Sequence, residues 1–210
     1  MSRLPIVVRD AEPEDASALI ELWGSCVDAV EKDTAEGIGA GAWREPKIAE
    51  SAAAISTHNA DPVKRLLVAL LNGAIVGVVA VRLQAITPIH CTQTMVVSDL
   101  HIGPRFRRKS VASVLMSAAV SWAEEHDCEL VLTTAPASSR DAHRFLTRLG
   151  FGQVAVVRGA QTSALRSRFV GMATSSKDTG RLIAVRRTLR RRQRTADLAF
   201  LTSEPGVPES

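Results

Sequence analysis

The segment from Met95 to Glu125 constrains this chain more than any other. An apolar run, Met95 to Leu100, reads as a strand, and Val111 to Glu125 repeats apolar residues at helical spacing. Between them stands a short basic stretch, Gly103-Pro104-Arg105-Phe106-Arg107-Arg108-Lys109-Ser110. A strand, a tight loop and a helix opening on the small residues Val111, Ala112 and Ser113 leave backbone N–H groups unpaired at the helix start. The helix dipole adds roughly half a positive charge there, so a phosphate settles in such a place. Arg105, Arg107, Arg108 and Lys109 bring side-chain charge to the same spot, and guanidinium forks match phosphate oxygens. The loop reads as a diphosphate cradle.

Two common phosphate loops do not fit. A Walker loop closes a Gly-rich run of fixed length with Lys-Ser or Lys-Thr, and Lys109-Ser110 stands here without that run. A dinucleotide fingerprint needs three glycines after a strand. The stretch resembles instead the acetyl-coenzyme A loop of the GNAT N-acetyltransferase family: Gln or Arg, two residues, Gly, one residue, then Gly or Ala. The matching residues are Arg107-Arg108-Lys109-Ser110-Val111-Ala112, with Ile102-Gly103-Pro104 where the family has a hydrophobic residue, any residue and proline. Ser110 stands at the family's first glycine, a departure at the point of closest backbone approach.

The rest of the chain agrees in order. Leu4 to Arg9 reads as a strand, and Ala11-Glu12-Pro13-Glu14-Asp15 opens a helix to Val30, with acidic residues in the first turn as the dipole prefers. A Gly-rich loop carrying Trp43 follows over 31–46, then a helix from Lys47 to Asn59. Arg65 to Leu71 and Ala74 to Leu83 are β-branched runs joined by Asn72-Gly73, a strong hairpin signal. Gln93 to Ile102 is the fourth strand, Leu130 to Thr134 the fifth, Ser139 to Leu149 a helix stopped by Gly150, and Val154 to Arg158 a sixth strand. A second local similarity lies in Ser139, Ala142, Leu146 and Gly150-Phe151, where the family has Asn, Ala, Tyr and Gly-Phe. The resemblance implies an α/β (α+β) fold with a mixed central sheet of six to seven strands flanked by helices.

It also implies a chemistry. Acetyl-CoA, the acyl-donor substrate, would lie between the fourth and fifth strands and be attacked directly by an acceptor amine. Leu100, His101 and Ile102 would face the thioester, and Arg107, Arg108, Lys109, Ser110, Val111, Ala112 and Ser113 would hold the diphosphate. Ser139 stands where the family's Asn touches coenzyme A, and it also suits a helix cap. The family's usual acid, the Tyr before Gly-Phe, is replaced by Leu146, and its usual glutamates are replaced by Val96 and Thr134; the chain has no Tyr at all. Proton transfer then falls to His101 and Asp99, with Ser139 and His143 nearby in sequence. The implied activity is transfer of acetyl to a primary amine of a small molecule. Two alternatives stand beside it: a degenerate acyl-CoA-binding sensor, and a nucleic-acid-associated module using the basic tail.

Composition bounds these readings. Hydrophobic residues make up 46% of 210, the proportion of a folded domain. With no apolar run of membrane-spanning length and no signal segment, a cytoplasmic protein is expected. Cys26, Cys91 and Cys128 lack metal-site spacing and read as reduced, structural thiols, and no metal is expected. The net charge is +4, but residues 181–210 hold seven Arg against Asp197, Glu204 and Glu209, so residues 1–180 sum to zero. A neutral domain argues against nucleic acid as a partner. Domain boundaries are read as 1–170 for the acyltransferase domain, with a helix from Thr162 to Val170, then a linker over 171–180. A basic amphipathic helix over 181–199 is expected to pack on the domain or on a second copy in a homodimer, and 200–210 to be a disordered tail. Trp23 and Trp122 are read as core; His58, His90 and His126 as solvated; Trp43 either as a wall of the acceptor pocket or as a plain loop residue; and Asp33, Glu36 and Glu45 as solvated surface charges, with attraction of a cationic amine as the alternative.

Overall fold

The computed structural model describes residues 5–31, 44–137 and 139–170. The chain divides into two compact units, Met1–Val157 and Arg158–Ser210. In the second, the described residues form the expected helix over 162–170. The linker, the basic helix, the tail, Trp43, Asp33 and Glu36 lie outside the described residues.

The first unit is built on five strands in chain order: β1 (Val7–Asp10), β2 (Lys64–Leu71), β3 (Ala74–Ala85), β4 (Gln93–Ile102) and β5 (Val131–Thr133). All neighbours pair antiparallel except β4 and β5, which are parallel. Asn72 and Gly73 carry φ of 54° and 79°, the two left-handed positions of a two-residue hairpin turn. Alternation along β2 splits its side chains between two layers. Leu67 and Ala69 join α3 (Val111–Glu125) through Leu115, Ala119 and Trp122; Leu66 and Val68 join α1 (Ala16–Glu31) and α2 (Ile48–Asn59) through Leu19, Leu22 and Ile55. Each buried Leu or Val there contributes about 1.5–3 kcal/mol. Trp122 is core as expected, whereas Trp23 is only half-buried at the edge of the second layer.

Ion pairing fixes the start of α1. A single 3-10 turn, Pro13–Asp15, precedes it. Arg9 reaches from β1 to grip the Asp15 carboxylate with two nitrogens, at 2.6 and 2.8 Å, and the Glu12 N–H donates to the same group at 2.8 Å. The Arg9 hydrogen bonds hold the buried Asp15 carboxyl below the usual carboxylate range, against the upward push of burial.

The expected sixth strand, Val154 to Arg158, is not formed, so the sheet has five strands among the described residues rather than six to seven. Val154, Val156 and Val157 are 77%, 66% and 79% exposed. β-branched composition gives a strand only where a neighbouring edge takes up its ladder bonds. β5, at three residues, offers a short edge, and glycines at 152 and 159 flank the segment.

Candidate active site

The site begins with a defect in β4. Ala80 pairs with Asp99 but Val81 pairs with Val97, so Ser98 is the extra residue of a bulge. Pairing to β5 runs over Met95↔Val131, Val96↔Leu132 and Val97↔Thr133, then stops. From Ser98 to Ile102 the edge of β4 away from β3 carries no strand partner among the described residues. A cleft of ≈ 960 Å³ opens there, with Leu100, His101 and Ile102 on one wall.

The loop after β4 shapes the far end of the cleft. Arg108 and Ser110 adopt φ of 64° and 66°, left-handed positions that cost a non-glycine residue roughly 1–2 kcal/mol each. Ser110 occupies the place of the family's glycine, and its φ supplies the physical reason a glycine suits that place. The Ser110 side chain makes no capping bond, and the first helical bond runs from the Val114 N–H to the Ser110 carbonyl at 3.0 Å. The N–H groups of Val111, Ala112 and Ser113 therefore have no acceptor within the helix. Gly77 of β3 permits the close seating of this helix: a Cβ there would lie 2.9 Å from Val111 and 2.8 Å from Ile102.

Arginines from two elements converge on the cleft. Arg107 and Arg108 line it from the loop, Arg144 and Arg148 from α4 (Arg140–Arg148). Arg108 lies 3.8 Å from Asp141, but both side chains are largely solvent-exposed, and such a pair holds little. α4 starts on Ser139, whose Oγ accepts from the Ala142 N–H at 3.4 Å. It stops in a left-handed Gly150, with Phe151 N–H donating to the Leu146 carbonyl and Gly150 N–H to that of Thr147, both at 3.0 Å.

His101 sits at the inner end. Its Nε2 lies 3.5 Å from Asp99 Oδ1, and its ring is 4.8 Å from that of Trp23. Burial pulls the imidazolium down, but Asp99 and the neighbouring Cys26 outweigh it and raise it to about 9. The hydrogen bond from His101 in turn lowers the Asp99 carboxyl against its own burial. Both shifts favour the charged forms, an imidazolium and a carboxylate 3.5 Å apart. Cys26 is buried, and its thiol donates to the Ile102 carbonyl at 3.6 Å.

Of the residues read from sequence, Leu100, His101, Ile102, Arg107, Arg108, Ser110, Val111, Ala112, Ser113 and Ser139 all line the cleft. Lys109 does not; its Nζ stands 5.1 Å over the Phe106 ring. Nor does His143, whose Nε2 meets the Pro136 carbonyl at 3.1 Å. Asp99 faces a second hollow, of ≈ 330 Å³, between α1, α2 and the bulge. Sequence reading missed Arg144 and Arg148, although Arg140, Arg144 and Arg148 recur every fourth residue as a basic helical stripe. It also missed Cys26, which lies 76 residues from its hydrogen-bond partner and which no motif marks. His58, expected in solvent, lines the second hollow, and its buried Nε2 has no hydrogen-bond partner among the described residues. Glu45 is exposed and lines neither hollow. Among the described residues there is no group of metal-ligating side chains, and no helix is long and apolar enough to cross a membrane.

The architecture is shared with solved structures that include acetyltransferases. A transcriptional regulator from Bacillus halodurans C-125 superposes with a TM-score of 0.63 at 19% identity, over 75% of this chain and 99% of that one. An aminoglycoside acetyltransferase from an uncultured soil metagenomic sample, solved with sisomicin, gives 0.58 at 16% identity, over 75% and 95%. An aminoglycoside N-acetyltransferase solved with CoA gives 0.59 at 12% identity, over 77% and 97%. No curated protein matches the sequence. The model of the acetyltransferase (GNAT) family matches residues 29–151, which include α2, all of β2 to β5, the kinked basic loop and α4. With more than half of its length matched and the bulged, splayed β4 in place, the chain belongs to the acetyltransferase (GNAT) family.

Proposed function

We propose that this protein transfers an acetyl group from acetyl-CoA to the primary amine of a small molecule by direct attack. One observation carries the reading: the helix-start N–H groups of Val111 to Ser113, a set of arginines and a His101 paired with Asp99 line one cleft. The diphosphate of the donor takes the N–H groups together with Arg107 and Arg108. The unpaired edge of β4 from Ser98 onward receives the pantetheine as a further strand would be received. The backbone near Leu100 to Ile102 donates to the oxyanion that develops as the amine adds to the thioester carbonyl.

His101 replaces the missing Tyr as the leaving-group acid. Collapse of the tetrahedral adduct breaks the C–S bond, and the His101 proton passes to the departing thiolate, whose ordinary pKa lies near that of this imidazolium. The acceptor ammonium gives up one proton to solvent and attacks as the neutral amine; the second proton, shed by the nitrogen of the adduct, recharges neutral His101, so the net reaction from ammonium releases one proton. Asp99 keeps His101 oriented and charged. The Leu146 replacement favours a non-catalytic sensor only if no other acid is present, and His101 supplies one. The nucleic-acid reading rests on residues outside the described structure.

Thiol release from acetyl-CoA tests the proposal. It should be amine-dependent and stoichiometric with acetylamine formed. Tight acetyl-CoA binding without amine-dependent release would establish the sensor instead.

A further inference from the structure

The second hollow differs in character from the cleft. Its walls are Leu19, Ile20 and Trp23 of α1, Ala54 and Ile55 of α2, and Leu66 and Ala80 of the sheet. Polar atoms enter it from few places: Ser51, Ser98, His58 and the Asp99 carboxylate, the one acidic group lining it among the described residues. At ≈ 330 Å³ it stands at the small end of the range for ligand sites. Asp99 ties it to the chemistry, because the His101 that Asp99 holds lines the donor cleft on the other side.

We propose that this hollow is the acceptor pocket and that it selects a compact monoamine: one ammonium group drawn to Asp99, carried on an apolar or aromatic body. The inference rests on the acetyl-transfer reading and narrows its substrate class. One carboxylate stands among the apolar described walls, with Oδ1 toward His101 and its second oxygen left for one ammonium; extra charges or a shell of hydroxyls would be stripped of water without partners. The Trp23 ring adds an aromatic surface that suits both an apolar body and a cation. Polycations and polyhydroxylated aminosugars, such as the sisomicin bound in one structural neighbour, do not match these walls.

The test compares phenethylamine and cyclohexylmethylamine with spermidine and kanamycin as acceptors, and measures phenethylamine binding to CoA-saturated protein by calorimetry. Ala54→Trp, at an exposed helical position on the rim, fills the hollow without disturbing the core. The expected result is a kcat/KM at least tenfold higher for the two monoamines. Ala54→Trp should lower that value tenfold or more, leaving acetyl-CoA affinity and melting temperature unchanged. Equal or better use of spermidine or kanamycin, or indifference to Ala54→Trp, would overturn the proposal and leave acetyl transfer standing. Calorimetric binding of phenethylamine, abolished by Ala54→Trp but without thiol release, would uphold the ligand class and overturn the transfer reading. No binding and no turnover with either monoamine would overturn the proposed class outright.

Discussion

The two sides of β4 are built by different rules. On the α3 side, the cradle takes most of its donors from consecutive residues, Arg107 to Ser113, and its charges are exposed. On the α1 and α2 side, the hollow is assembled from five separate elements, and its walls are mostly apolar. A phosphate end common to many reactions can be held by one short local motif, because backbone N–H groups and a dipole recognise it. A particular acceptor is recognised by shape and by the removal of water, which needs side chains brought from distant parts of the chain. Generality is therefore expected on the first side and specificity on the second. Substitutions on the first side should alter donor affinity and leave acceptor use unchanged; those on the second should alter acceptor use or the stability of the walls.

The largest effect is expected at the junction of the two sides. His101→Gln removes a general acid, a loss of about 100-fold or more in kcat. In the wild type, kcat should rise with pH as the amine deprotonates and fall as His101 loses its proton near 9; the variant should lack that alkaline fall. Because the folded pKa is raised, the His101–Asp99 pair also stabilises the fold fully below the ordinary His pKa of about 6.5, and this contribution is lost as pH rises through about 9. A pH–rate profile of His101→Gln identical to that of the wild type would remove the residue from the mechanism and separate the two sides chemically.

Arg107→Ala combined with Arg108→Ala comes next. Charge-assisted bonds to phosphate are worth roughly 1.5–3 kcal/mol each, and the exposure of both side chains reduces this to about 100-fold in acetyl-CoA affinity for the pair. The loss should shrink with added salt and leave amine KM unchanged. A shift in amine KM alone would reverse the assignment of the two sides.

Asp15→Asn acts on the acceptor side through its scaffold. The buried carboxylate anchors the start of α1, and breaking its pair with Arg9, itself one-third exposed, should cost about 2 kcal/mol in denaturant unfolding. Since Arg9 holds the Asp15 carboxyl low, the wild-type advantage should be full above about pH 4 and vanish as pH falls through the folded pKa. Ser110→Gly should give the smallest change, a gain of about 1 kcal/mol in stability or donor affinity from relief of the left-handed conformation.

The legibility of the sequence follows the same division. β4 and α3 ran from Gln93 to Ile102 and Val111 to Glu125 as expected, because periodicity and the basic loop bounded them on both sides. The Asn72-Gly73 turn and the Gly150 stop were equally plain, being local backbone requirements. Val154 to Arg158 carried a strand's composition but lacked a neighbouring edge, which composition does not report. The bulge at Ser98 sets Asp99 toward the second hollow and arises only from pairing with β3. His58 and Trp23 were read as solvated and core because their shared hollow joins helices more than thirty residues apart in sequence. Ser139, by contrast, caps α4 and also lines the cleft, both roles its position allowed.

If the start of α3 is the donor site, calorimetric titration of acetyl-CoA into Ala112→Leu will expose it. Leu keeps the helix, since its propensity is close to that of Ala, but its bulk stands over the N–H groups of the first turn. The account predicts affinity weakened tenfold or more, with an unchanged melting temperature and an unchanged Kd for the amine in the second hollow. Wild-type affinity for acetyl-CoA in a folded Ala112→Leu protein would contradict it.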